Sequence, residues 1–523
     1  MYSALSVRHL HNSGDAFILL IIIIYILLVE AVTGYPAGHR LASLYTTLLL
    51  YCGSLLVVRT PKFRWVLEFF YLCDKANNPE MSAQIEAPPV LTSKEKQYIL
   101  RHPADAQLEA LLRECNARYA YWTDIKYRYK VLEEPLTPRL LWGYLKSQRR
   151  AAGIAISPRY GLRLFVTAQM QGQLYELDQL LQADRFVAEL IPPAHKRRYL
   201  MSALMEEAIR SSQIEGAATT RRVAKEMLRK NITPRDCSQR MILNNYRTMA
   251  LLQEQRNAEM TEELLLQIHR SMVRGTLERS ADEGRFRTVE DEVYVEHQLT
   301  HEVVHTPPPA TELSDFMQLF LSLCNDREQP TFIHPILRGI IIHFLIGYMH
   351  PFVDGNGRTA RALFYWYMLR SGYSLLEYLS ISQIIYKGKS QYEEAYLKVE
   401  TDDLDLGYFV QYHLRVLRLS IASFKSYAEQ KLKEQESLTP ILRIGGLNER
   451  QMQILRLYQE SESLVLTGRE VEQRFGVSQP TAKSDLKGLV RQGFLDEIAY
   501  NKVKRGYLRS THFDELLDEA SAR

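Results

Sequence analysis

His350-Pro351-Phe352-Val353-Asp354-Gly355-Asn356-Gly357-Arg358-Thr359-Ala360-Arg361 decides how the rest of the chain is read. Gly355 and Gly357 carry no Cβ, so the backbone there can come close to an anion. The residues after Gly357 run Arg-Thr-Ala-Arg-Ala-Leu-Phe-Tyr-Trp-Tyr-Met-Leu, a good helix. Such a helix aims its first amides and the positive end of its dipole at one point. Arg358 and Arg361 lie one turn apart at its start and can reach one side of the same ligand. Asp354 is a hard oxygen donor of the kind Mg²⁺ takes when it shares a substrate's phosphates. His350 is the one group in the stretch that exchanges a proton near neutral pH. Base, metal ligand, anion cradle and two arginines together point to chemistry on a phosphate.

Working outward, Thr331 to Met349 reads as an apolar helix with Ile336, Ile340, Phe344 and Leu345 at core spacing, and it feeds directly into His350. The following helix should end near Ser371-Gly372, with Phe364, Tyr365, Trp366 and Tyr367 in the core. Upstream, Gly284 to Val289 and Val293-Tyr294-Val295 read as β, closed by Thr306-Pro307-Pro308-Pro309. His269 reads as a packed core histidine. His301-Glu302-Val303-Val304-His305 matches the HExxH pattern of zinc proteases, which needs both histidines on one helix face. Val303, Val304 and Thr306 are β-branched and Pro307 follows, so no such helix is expected. Farther upstream, a helix from about Arg198 to Gln213 ends in Ser211-Ser212-Gln213-Ile214-Glu215-Gly216. A carboxylate there can rival a phosphate for a guanidinium.

The central stretch resembles the signature of Fic-domain proteins, His-Pro-Phe-x-Asp-Gly-Asn-Gly-Arg-x-x-Arg, and the likeness extends over roughly Leu200 to Tyr412. The resemblance implies transfer of AMP from ATP to a Tyr, Thr or Ser hydroxyl of a protein, with pyrophosphate leaving. It implies that His350 takes the hydroxyl proton and that Asp354 holds Mg²⁺. Gly355, Asn356, Gly357, Arg358 and Arg361 would then bind the phosphates. Ser-x-x-x-Glu-Gly resembles the inhibitory motif of self-restrained family members, with Glu215 denying Arg361 to ATP. The β-like segment at Val293, Tyr294 and Val295 resembles the flap that aligns a target strand. Tyr392 aligns loosely with a tyrosine beside the adenine, although Glu393 stands where a second tyrosine is expected. Removal of AMP, other phosphoryl transfer, and a sensory Fic domain on a DNA-binding regulator remain as alternatives; Gly357, where phosphate-transferring relatives carry lysine, argues against kinase-like chemistry.

The chain has 523 residues with Lys+Arg 65 against Asp+Glu 61, long enough for several domains and too balanced to imply one acidic or basic partner. Its five cysteines contain no CxxC, which speaks against a disulfide framework and for a reducing compartment. The expected fold class is mainly α: a helical Fic core with a β-hairpin flap, plus a C-terminal winged helix-turn-helix. Residues 1–80 hold two apolar runs, Ala16 to Val29 and Leu41 to Val58. They read either as two membrane helices, with the catalytic part cytoplasmic, or as sequence upstream of a true start at Met81. Residues 81–197 read as a helical region, 198–435 as the Fic domain, Leu438 to Gly446 as a linker and 440–523 as the winged helix. Lys483, Lys487 and Arg491 line the expected recognition helix and Lys502, Lys504 and Arg505 the wing, with Asp485 tempering the charge; DNA and protein are both open as its partner. Self-modification and homo-oligomers are further expected possibilities.

Overall fold

The computed structural model describes residues 85–523, apart from 131, 183–190, 192, 297–301, 328–330, 463, 500–504 and 523. The apolar runs expected within 1–80 lie outside the described residues, as do His297, His301, Lys502 and Lys504. Among the described residues no helix is long and apolar enough to cross a membrane.

The chain is mainly helical. Four helices, α1 (Ser93–Arg101), α2 (Ala106–Ala117), α3 (Trp122–Arg128) and α4 (Pro138–Ala152), lead to an antiparallel hairpin of β1 (Ile154–Ser157) and β2 (Leu162–Leu164) and then to α5 (Ala168–Leu181). Thr92, Asp105, Thr137 and Thr167 each cap a helix by accepting from a backbone amide of its first turn. The hairpin departs from the all-helical expectation for this region. Its reason is tertiary: Leu406 N donates to Arg163 O at 2.9 Å and Arg163 N to Leu404 O at 3.3 Å, so β2 is held by a distant loop. Lys146 reaches Asp402 at 2.7 Å and Asp405 at 3.1 Å from the same side. Leu112, Trp142, Leu164 and Leu177 share one continuous apolar core with the helices around His350, so packing does not break at residue 197.

The centre of that core is the pair α11 (Pro335–Met349) and α12 (Asn356–Arg370). They are reached through α6 (Lys196–Ile214), α7 (Arg221–Lys230), α8 (Cys237–Glu254), α9 (Glu262–Val273), a hairpin of β3 (Val295–Glu296) and β4 (Val303–His305), and α10 (Leu313–Cys324). Ile336, Ile340, Phe344 and Leu345 are fully buried, and Phe364 to Tyr367 are at most 3% exposed. A helix apolar on every side belongs in the middle of a domain. The expected strand at Gly284 to Val289 does not form. Arg285 is tied to Asp282 and Asp291, and Arg287 N donates to Pro351 O at 2.9 Å, so this backbone is committed to side chains and to the loop after His350 rather than to a strand.

After α13 (Ile381–Lys387) and α14 (Lys389–Thr401), α15 runs unbroken from Gly407 to Arg443. The linker expected at Leu438 to Gly446 is therefore helical as far as Arg443. Leu414, Leu417 and Ile421 on α15 belong to the first core, whereas Ile441 belongs to a second. That second core is made by α16 (Glu449–Glu460), β5 (Val465–Thr467), α17 (Gly468–Phe475), α18 (Gln479–Arg491), β6 (Leu495–Ala499), β7 (Arg505–Arg509) and α19 (Phe513–Ala522), with sheet order β5-β7-β6.

One buried carboxylate fixes α6 against the core. Glu207 accepts from Tyr365 Oη at 2.9 Å, Ser380 Oγ at 2.9 Å and Ser382 N at 3.0 Å, and also from Ser382 Oγ. Burial pushes its carboxyl up, against the downward pull of those donors. Glu207→Ala strands several buried donors at once and is expected to lower unfolding stability by about 3 kcal/mol, whereas Glu207→Gln keeps part of the set. Urea unfolding measures the difference, and equal midpoints for wild type and Glu207→Ala would remove the clamp from the account.

Candidate active site

His350 is placed by the way α11 ends. Pro351 disfavours the helical conformation for the residue before it, and His350 adopts the left-handed region with φ 46 and ψ 59. A non-glycine residue is strained there and persists only when its surroundings over-determine it. They do so here. His350 N donates to Ile346 O at 3.1 Å, its Nδ1 lies 2.7 Å from Gly347 O, and its own carbonyl accepts from Arg287 Nε at 2.8 Å. Since Gly347 O can only accept, Nδ1 carries a proton and Nε2 is left as a lone-pair acceptor. Burial depresses the imidazole to about 4, helped by His305 and Arg287 and opposed by Gly347 O and Glu215. The ring is therefore neutral at physiological pH, which is the form a general base needs.

The loop after His350 is built from inside. Asn356 Oδ1 accepts from Phe352 N at 3.0 Å and its Nδ2 donates to Phe352 O at 2.8 Å, so both ends of this amide are spent on the loop itself. The side chain assigned by resemblance to phosphate thus shapes the cradle, and what it presents to a ligand is its backbone N–H. His269 stacks on Phe352 with ring centroids 3.7 Å apart, donates from Nε2 to Asp354 O at 2.8 Å and accepts at Nδ1 from Gly284 N at 3.1 Å. Burial lowers its pKa to about 4, and it remains a neutral prop. Gly355 has φ 84 and starts α12; a Cβ there would meet Val273 Cγ1 at 2.5 Å, so glycine is required twice over. The first amides of α12, at Asn356, Gly357 and Arg358, have no partner within the helix, which leaves donors on offer at its start.

Above that point sits Glu215, the residue at the end of α6. A Cβ on Gly357 would lie 2.3 Å from Glu215 Oε1. The same oxygen accepts from Arg361 Nη2 at 2.9 Å. Arg361, fully buried, also donates through Nε to Ser211 Oγ at 2.9 Å and through Nη2 to Ser211 O at 2.8 Å, while Nη1 finds no hydrogen-bond partner among the described residues. Burial alone would raise the Glu215 carboxyl, but Arg361 and Arg358 outweigh it and hold it below the usual range. An ionised carboxylate thus fills the cradle. Arg358 is buried as well, donating to Met272 O at 3.4 Å and to Asp354 Oδ2 at 3.3 Å.

Asp354 stands at the rim with its side chain 56% exposed, one oxygen near Arg358 and the other turned back to Gly355 N. Among the described residues no three His, Cys, Asp or Glu side chains gather to hold a metal. A single exposed carboxylate beside an anion cradle fits a cation that completes its shell with substrate phosphates and water. Val293, Tyr294 and Val295 lead into the hairpin, where Val295 pairs with His305 and Glu296 with Val303, and Tyr294 is 49% exposed. His305 lies on a strand with its nitrogens 2.8 Å from Glu400 Oε2 and 2.8 Å from Tyr348 O, which leaves no helical zinc face. Tyr392 is turned inward, its hydroxyl 2.9 Å from His343 Nε2. Nothing in the sequence marks Arg287 as the tie between the segment before β3 and the loop after His350, because its donors meet only main-chain carbonyls of residues far along the chain.

Residues 259–368 match the model of the Fic/DOC family. Over 115 residues the chain is 34% identical to "Protein adenylyltransferase Fic" of Drosophila grimshawi, covering 22% of this chain and 21% of that protein. Over 69 residues it is 41% identical to the protein of the same name from Drosophila mojavensis, covering 13% and 14%. The chain thus spans about a fifth or less of the length of these curated relatives. A Fic family protein from Desulfovibrio desulfuricans G20 superposes with a TM-score of 0.43 at 19% identity, over 66% of this chain and 97% of that one.

The depressed His350 pKa sets a pH dependence for any reaction that uses Nε2 as proton acceptor. Activity is present above that pKa and lost below it, so the acidic limb should lie near pH 4 with a plateau from pH 6 to 8. A limb near pH 6.5, the value of a solvated imidazole, would contradict this environment.

Proposed function

We propose that the Fic domain carried by this chain transfers AMP from ATP to a hydroxyl side chain of a protein and is restrained by Glu215. The observation that carries the reading is the Glu215 carboxylate seated on Gly357 and Arg361, where an anionic substrate group would otherwise sit. The domain match and the name of the curated relatives support the reaction class.

His350 Nε2 accepts the proton of the attacking hydroxyl. A bond forms from that oxygen to the α-phosphorus as the bond to pyrophosphate breaks. The amides at the start of α12 and the Arg361 guanidinium stabilise the phosphates, and Asp354 is the group positioned to hold Mg²⁺, which would supply charge neutralisation there. Val293 to Val295, leading into the β3–β4 hairpin, would align the target strand. Glu215 must vacate Arg361 before the β- and γ-phosphates can take its place. A second reading is removal of AMP by water, in which the ionised Glu215, whose charge favours the protonated form of the His350 ring, would help to take up a water proton.

With α-labelled ATP and Mg²⁺, the full chain is expected to label weakly. Glu215→Gly should raise labelling by roughly tenfold to a hundredfold, the worth of a charge-assisted hydrogen bond to a buried guanidinium. Adding His350→Ala should abolish it. If label arrives only from γ-labelled ATP, the chemistry is kinase-like and the proposal fails. If Glu215→Gly stops release of AMP from a modified protein without raising transfer, the second reading replaces the first.

A further inference from the structure

We propose that α18 is a duplex-DNA contact surface, with its exposed cations on phosphates. The inference is independent of the reaction at His350. It starts from Asp485, the residue that in sequence weakens the basic character of this helix. In the fold Asp485 is 4% exposed and faces away from solvent. Its oxygens accept from Asn448 Nδ2 at 2.7 Å and from Arg450 Nε at 2.8 Å, both from the start of α16. The carboxylate is spent on joining α16 to α18, and Ala482, Leu486 and Leu489 fill the second core beside it.

What remains outside is one basic stripe. Lys483, Ser484, Lys487 and Arg491 are exposed, and the three cations recur every fourth residue along one side. Among the described residues none of the three lies within ion-pair distance of a carboxylate; the exposed Arg469 and Arg474 of α17 are likewise unpaired there. From Lys483 to Arg491 the stripe is about 12 Å long, close to the width of the major groove. α17 and α18 are joined through Gly476 in the left-handed conformation and Val477-Ser478. That is a helix-turn-helix joint, in which the second helix enters the groove while the first crosses the phosphate backbone. Ser478 and Thr481 hydroxyls lie 2.8 Å apart at the exposed start of α18, where a helix N-terminus also favours a phosphate. The three-stranded sheet β5-β7-β6 shares the second core with α18 through Leu466, Leu495 and Tyr507.

The test is the salt dependence of binding by the full chain to a labelled 30-base-pair duplex, followed by fluorescence anisotropy. Each phosphate contact contributes about 0.9 to the slope of log K against log salt. K483Q/K487Q/R491Q should lower that slope by about 2 to 3 and weaken binding more than tenfold at fixed salt. R222Q/R229Q, which removes two exposed cations of α7, should leave the slope unchanged, and both variants should melt with wild type because the side chains are exposed. Equal slopes for wild type and the α18 variant would overturn the proposal. So would an equal loss in the α7 variant, which would mark binding by bulk charge, or preference for an acidic protein over the duplex, which would make α18 a protein-docking face.

Discussion

A guanidinium with no access to water must find an anion or leave its charge uncompensated, and Arg361 is such a group. It sits one turn into the helix that follows the His350 loop, surrounded by core, with Ser211 of α6 and Glu215 at its end as its partners. A buried pair of this kind is no great source of net stability, because desolvation offsets most of the attraction, but removing one member leaves an expensive charge behind. On the proposed function the arrangement would work as a competition. Whatever displaces Glu215 must bring negative charge of its own, and the amides around Gly357 favour a phosphate. Since α6 is clamped by Glu207 deep in the core, Glu215 is presented to Arg361 on a rigid support.

The same logic of support explains His350. Its left-handed backbone is held from three sides, and the groups that hold it are mostly main-chain carbonyls or side chains from other segments. Arg287 gathers the carbonyls of His350, Met349 and Pro308, tying the segment before β3 to the loop. His269 and Asn356 fix the loop from beneath. The ring itself needs little beyond this: a carbonyl on Nδ1 selects the tautomer and burial keeps it neutral.

Beyond the first core, α15 carries the chain into a second without a break. Pro440 and the pair Gly445-Gly446 are strong local breakers, and a linker is expected there on local rules. Tertiary packing overrode it: Ile441 is taken into the second core, so the last turns of the helix are stabilised by side-chain burial that no local rule can see.

The sequence alone determined which chemical groups the loop carries. Glycines, arginines, aspartate and histidine were legible because their spacing is local, and helices α11 and α12 because their apolar pattern is continuous. Glu215 was legible as a carboxylate rival but not as the occupant of a place. Only the tertiary structure put it over Gly357, joined Ser211 to Arg361 across 150 residues, turned Asp485 inward, and spent the Asn356 amide on Phe352. The physical reason is the same in each case. Residue type and short-range spacing fix what a group can do, whereas burial and partners drawn from distant segments fix its charge state, its orientation and whether it faces a ligand or the core.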